Sequence, residues 1–178
     1  MQPTLFQRAL GAAFFRLPDS LRQLHGPNGG GRYAGMATVE RGSGLLARLC
    51  AWAAGLPKAG RDVPLAVEIV ADARGETWLR DFAGFRMVSR LALKDGLLQE
   101  WLGPVRFRFV LVANDGAIWW TVAGARLFGF VPLSASLFDG VRCREYQEDD
   151  RYCFEVEATL PLAGKLIRYA GWLERAPG

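Results

Sequence analysis

The hydrophobic pattern changes character about one third of the way along the chain. Near the N-terminus, apolar side chains recur every three or four residues: Leu5, Phe6, Ala9, Leu10, Ala13, Phe14 and Leu17, with Gln7, Arg8 and Gly11 off the stripe. That spacing predicts an amphipathic helix. Pro3 suits its first turn, and Pro18 ends it, because the residue before a proline is pushed out of the helical region. Asp19 or Ser20 then caps one more turn over residues 21–24. His25-Gly26-Pro27-Asn28, followed by three glycines, reads as a loop. A second short helix is predicted from about Gly44 to Ala54. Its Leu45, Leu46, Leu49, Trp52 and Ala53 are expected to face inward, with Gly55 and Pro57 as the stop. Between the helices, residues 32–41 alternate, placing Tyr33, Gly35, Ala37 and Val39 on one face of a half-buried strand.

Beyond Pro57 the period is two almost throughout. Leu65, Val67 and Ile69 alternate with Ala66 and Glu68. Arg74-Gly75 and Ala83-Gly84 then turn the chain into residues 76–82 and 86–94. Asp95-Gly96 and Asp115-Gly116 are hairpin signals, since both turn positions favour positive φ. Strands are expected at 97–102, from 105 with Phe107 and Phe109 on one face, at 117–125, 141–147, 151–159 and 165–174, before a short tail. Residues 126–140 are apolar but broken by Gly129 and Pro132, and read as a long loop with a helical turn near Ser136–Phe138. The fold class that follows is α+β and mostly β. Two or three N-terminal helices pack against a strongly curved antiparallel sheet of eight to ten strands. A half-barrel is the first choice and a closed barrel with an internal cavity the alternative. The organisation is one domain over 1–178, with a helix–strand–helix segment over 1–57 and an antiparallel meander over 58–175.

Composition narrows the class. Half of the 178 residues are hydrophobic and 12% are aromatic, which excludes a disordered chain, a collagen-like chain and a coiled coil. No apolar run approaches the roughly 18 residues that a membrane-spanning helix needs. No signal peptide is read from the start of the chain, and a cytoplasmic location is expected. The net charge is +4 and unevenly placed: residues 1–60 carry seven cations and two acids, the remainder fifteen and sixteen. Attraction of the N-terminal third to phosphates is one reading, but its basic residues are scattered singly, so no specific nucleic-acid contact is expected. Cys50, Cys143 and Cys153 make an odd count without a C-x-x-C pair, and one histidine cannot complete an ordinary Cys/His zinc site. Neither metal nor cofactor is expected. Cys143 and Cys153 flank a turn, and a three-residue loop at 147–149 would set them face to face as a possible disulfide. Two reduced thiols are the simpler expectation.

Few residues announce chemistry. His25 is the only histidine and reads as a general base, a ligand donor at a loop mouth, or a helix C-terminal residue bound to its last carbonyls. No nucleophile elbow surrounds any serine, so no catalytic residue is assigned and a small hydrolase-like enzyme ranks third among the functions. The glycines at 26–31 lack the spacing of a phosphate loop. Glu145, Glu148, Asp149, Asp150, Glu155 and Glu157 crowd one hairpin, where interleaved arginines offer ordinary ion pairs. Aromatic side chains dominate the strands, either as core or as the lining of a pocket for an apolar ligand. Trp119 and Trp120 are adjacent and must point to opposite faces. Arg90, Arg108 and Arg168 interrupt apolar strands. Outward positions are expected, whereas an inward one would need a carboxylate such as Glu100 or Glu155, or a bound anion. The candidate ligand-binding set is His25, Trp78, Arg90, Phe107, Phe109, Trp120, Tyr152 and Tyr169.

Several short stretches occur in a characteristic order. Leu5-Phe6-x-x-Ala9-Leu10-Gly11 leads to Leu21-Arg22-x-Leu24-His25-Gly26, then to residues 39–49 and Leu56-Pro57. Glu76-x-Trp78-x-Arg80-x-Phe82, Gly103-Pro104-x-Arg106-Phe107-x-Phe109, Glu145-Tyr146 and Arg168-Tyr169-x-Gly171-Trp172-Leu173 follow. This order resembles the bacterial family called domain of unknown function 4166, and the resemblance covers nearly the whole chain. The family occurs alone and attached behind domains similar to saccharopine dehydrogenase. The resemblance implies no activity, cofactor or catalytic set, and this chain has no dinucleotide fingerprint of its own. The leading expectation is a non-enzymatic binding module for an apolar or lipid-like small molecule. The alternative is an accessory domain that docks on an oxidoreductase or other protein through Trp119 and the loop from Leu127 to Phe138.

Overall fold

A computed structural model describes residues 3–177. Positions 1, 2 and 178 of the expected domain lie outside the described residues. Eleven strands form one antiparallel sheet: β1 (Gly31–Arg41), β2 (Gly60–Asp72), β3 (Gly75–Phe82), β4 (Phe85–Lys94), β5 (Leu97–Leu102), β6 (Val105–Asn114), β7 (Ala117–Leu127), β8 (Val131–Leu133), β9 (Gly140–Glu148), β10 (Arg151–Leu160) and β11 (Gly164–Arg175). Ten of them close into a barrel. Strands β1 to β7 follow one another as a meander, β7 pairs with β9, and β11 returns to β1 along the register Tyr33↔Arg175 to Arg41↔Ile167. The closed alternative is therefore the one adopted, and closure removes every edge but that of the short β8.

Tight turns drive the meander. Asp95-Gly96, Asp115-Gly116, Ala83-Gly84 and Asp149-Asp150 all have positive φ at both central positions, the geometry that matches the twist of paired strands. The last of these decides the cysteine question. The β9–β10 loop has two residues, so Glu148 pairs with Arg151, Cys153 with Tyr146 and Cys143 with Val156. The three-residue loop that would have set the thiols opposite does not form, and all three cysteines are free.

Closure bends the strands, and register shifts at Ala37/Val39, Arg108/Phe109 and Ala158/Thr159 take up the bend. At the β1–β11 seam the backbones approach so closely that a methyl group on Gly35 would be driven into the carbonyl oxygen of Trp172.

The N-terminal helices plug one end of the barrel. The predicted long helix is broken in two. Gly11, at φ 56°, ends α1 (Leu5–Leu10) and starts a 3-10 segment over Gly11–Arg16. Then α2 (Asp19–His25) follows Pro18. Thr4 and Gln7 form a reciprocal capping box on α1, and the Thr4 hydroxyl also donates to the His25 carbonyl at 2.8 Å, tying α1 to α2. Phe6 and Leu21 are completely buried.

The other end is covered by α3 (Leu45–Ala53) and a 3-10 turn over Ala135–Phe138. Here the structure corrects the sequence reading. The inner face of α3 is made of Ala47 and Ala51, while Leu45, Leu46, Leu49 and Trp52 point outward. Both faces of this helix are apolar, so periodicity could not say which would be buried. Proximity to the barrel rim selected the small one.

Replacing Gly35 with Ala should destabilise the protein by about 1–3 kcal/mol in urea unfolding, because the seam cannot open without breaking closure. Gly30→Ala, where the added carbon meets only an ordinary contact with Ile69, should change stability by less than about 0.5 kcal/mol. Equal effects would contradict the seam assignment.

Candidate functional site

Inward positions on nine of the ten barrel strands, all but β1, surround a cavity of about 400 Å³ that reaches the last turn of α3. A barrel of eight strands is just filled by its own side chains or holds one small ligand, and diameter grows with strand number. Ten strands therefore leave space. The helices fill part of it from one end, and at the other Ala53, Ala54 and Cys50 reach in only a short way. Phe107, Cys143 and Tyr169 are only half-buried although they point into the barrel. Their free surface faces the cavity.

The wall is mostly apolar and aromatic. Phe109 stands edge-on to Trp120 at 5.4 Å and stacks on Phe107 at 5.6 Å, while Phe107 meets Phe138 edge-on. On the facing strands Tyr152, Phe154 and Tyr169 form a second aromatic run. Of the eight candidate ligand contacts, Trp78, Phe107, Phe109, Trp120, Tyr152 and Tyr169 all line this cavity.

The remaining two do not. Arg90 lies on the outside of β4, paired with Asp72 at 3.3 Å, because Met87, Ser89 and Leu91 occupy the inward parity of that strand. Arg168 is likewise outside, bound to Glu155 at 2.9 and 2.5 Å. His25 is enclosed in the plug. Its ring is stacked on Phe6 at 3.7 Å and faces Trp78 at 5.8 Å, and its side chain has no exposed surface. Its Nε2 lies 2.6 Å from Glu145 Oε2. Glu145 lines the cavity, so His25 holds the carboxylate from behind.

Three charged residues that the sequence reading did not select face the interior: Arg80, Glu100 and Glu145. Their signal was strand parity. Arg80 shares the inward face of β3 with Trp78 and Phe82, and Glu145 shares a face with Cys143 on β9. Reading Glu145 with the acidic turn beside it hid this. Arg80 donates to Ser89 Oγ at 2.8 Å, approaches Glu100 at 3.7 Å and lies over the Trp78 ring at 5.0 Å. Beneath it, Trp78 Nε1 donates to Glu76 Oε2 at 2.9 Å. Burial pushes the Glu76 carboxyl above its ordinary range. Burial also pushes up the Cys143 thiol and the Tyr152 and Tyr169 phenols, and the negative charge of Glu145 adds to each rise. Among the described residues five buried side-chain atoms have no hydrogen-bond partner, and one of them, Trp120 Nε1, belongs to a residue that lines the cavity.

Among the described residues no group of three or more His, Cys, Asp or Glu side chains is arranged to hold a metal ion. No helix among the described residues is long and apolar enough to cross a membrane. A family model, Domain of unknown function (DUF4166), matches residues 17–173, and the chain belongs to that family. No curated protein matches it.

The raised carboxyl of Glu76 makes a pH prediction. A group whose folded pKa exceeds its unfolded value stabilises the fold while protonated. That contribution is complete below the ordinary carboxylate range and is lost as pH rises through the raised value. Glu76→Gln keeps an acceptor for Trp78 and carries no charge. Its stability relative to the parent protein should grow as pH rises through that window and level off above it, measured by urea unfolding at a series of pH values. A difference independent of pH would contradict the assignment.

Proposed function

We propose that this member of the family is a non-enzymatic binding module that holds a neutral apolar molecule, carrying one hydrogen-bond acceptor, inside the barrel. The observation that carries the reading is the aromatic cavity with its unspent Trp120 donor. Its volume falls within the range of small-molecule pockets, and its few polar groups stand among aromatic side chains in the manner of such pockets. Leaving a buried donor unpaired costs about 1–3 kcal/mol, and a carbonyl, ether or hydroxyl oxygen on the ligand would recover it.

Charge selects among lipid-like molecules. Two carboxylates, Glu100 and Glu145, face the cavity against one cation, Arg80, which Glu100 already engages. A free carboxylate brought inside would stand beside these two carboxylates with no unengaged cation among the described residues to meet it, so an ester, ketone or alcohol fits better than a fatty acid. Three free cysteines suit a reducing compartment, and a cytoplasmic site of action is part of the proposal.

The alternative, an accessory domain docking on a protein partner, draws on the exposed Phe128 and Phe130 in the loop after β7. Trp119 adds less to it, because the Arg144 guanidinium lies 5.1 Å from its ring.

The test uses N-phenyl-1-naphthylamine fluorescence. The parent protein should bind the probe, and methyl laurate should displace it at about tenfold lower concentration than laurate at neutral pH. Val156→Trp, which fills the cavity from β10, should weaken probe binding by about tenfold or more while leaving the unfolding midpoint near that of the parent. No probe binding by the parent, or equal binding by the filled variant, would overturn the proposal.

A further inference from the structure

The barrel is polar in the literal sense, because its two ends differ. At the α3 end, large apolar side chains project from three separate segments. Leu45, Leu49 and Trp52 stand on the outer face of α3 with 84%, 59% and 77% of their surface exposed. Phe128 and Phe130 project from the turn after β7, with stacked rings 6.4 Å apart. Leu162, at the β10–β11 turn, is 99% exposed. These segments share one end. Phe128 N–H donates to the Pro104 carbonyl at 2.7 Å, Gly103 abuts the last turn of α3, and Gly44 abuts Ala163.

Within the described residues, unpaired cations stand among these apolar tips. Arg48, Lys58, Arg61, Arg126 and Lys165 lie in or beside these segments, against Glu40, Asp62 and Asp139. Among the described residues the first four form no ion pair, and Lys165 is paired with Glu40. At the opposite end, the hairpin turns carry Asp72, Asp95, Asp115, Glu148, Asp149 and Asp150 against Arg74, Lys94 and Arg151, while the N-terminal helices there add Arg8, Arg16 and Arg22 against Asp19.

We infer that the α3 end docks on an anionic lipid bilayer, with Trp52, Leu49, Phe128, Phe130 and Leu162 entering the interface and the cations meeting lipid phosphates. Apolar tips spaced among cations match a headgroup layer, where tryptophan and other apolar side chains settle and Lys and Arg are attracted by anionic lipid. A folded protein partner would be expected to meet one continuous patch. The placement also has a use. Cys50 and Ala53 in the last turn of α3 line the cavity and the outer face of the helix forms the docking rim, so a neutral apolar molecule could pass between bilayer and barrel beneath that turn without crossing water. Docking stands on the rim alone, whereas its role in ligand passage rests on the cavity reading above.

The experiment is co-sedimentation with phosphatidylcholine vesicles, with and without phosphatidylglycerol, beside the naphthylamine assay in solution. The full chain should bind the phosphatidylglycerol vesicles, with binding weakened by added salt. Trp52→Glu with Phe130→Glu, or Arg48→Glu with Arg126→Glu, should each weaken it by about tenfold or more. Val88→Glu, on the exposed barrel wall, should leave it unchanged. Because all these positions are exposed, loss of folding is not expected, and unchanged unfolding midpoints check this. Failure of the parent protein to bind either vesicle overturns the docking inference. So does a concentration-dependent dimer in sedimentation velocity that Trp52→Glu abolishes, which would assign the rim to a second copy. Vesicle binding without probe binding keeps the docking surface and removes the cavity reading, and the reverse result removes only the docking surface.

Discussion

Everything in this molecule depends on one pairing, that of β11 with β1. Without it the chain is an open meander with two unpaired edges and a concave face of aromatic side chains exposed to water. With it, all ten barrel strands have two neighbours, and the interior becomes a closed space whose size is set by strand number and not by side-chain volume. The glycine at position 35 and the bulges in β2, β7 and β11 are the local concessions that closure needs.

The interior that results is divided by a polar layer. His25, Glu145, Glu76 and Trp78 form it, with Phe6 and Tyr152 packed against the imidazole. On one side the N-terminal helices fill the barrel solidly. On the other the wall is lined by Phe107, Trp120, Tyr169 and their neighbours around empty space. The layer thus acts as a floor. It explains why a lone histidine in a glycine-rich stretch is buried, since the plug is joined to the barrel wall through its contact with Glu145.

Much of the fold was legible from the sequence. Period-two alternation and Asp-Gly turns marked most strands within a residue or two, and the parity of Trp119 and Trp120 was readable from adjacency alone. Three things were not. Helix α3 is apolar on both sides, so its orientation depends on the rim it meets. Gly11 breaks a helix whose stripe continues through it, because the stripe reports burial and not φ. Closure against a half-barrel is a long-range choice between β1 and β11, which are separated by the whole meander. At the site, six of eight aromatic and charged candidates lie together because strand parity is local information. Arg80, Glu100 and Glu145 stood on readable inward parities but escaped, because the partners that let a charge face the interior, Ser89 and Glu100 for Arg80 and His25 for Glu145, come from other segments that only the fold brings near.

The central claim is that the closed barrel keeps a dry, accessible apolar space above its polar floor. The most direct measurement is a crystal structure determined under xenon pressure, since apolar cavities of this kind take up xenon while filled cores do not. Xenon is expected inside the barrel, among Phe107, Trp120, Val156 and Tyr169. A barrel with no xenon there, and with those side chains meeting one another across the axis, would contradict it.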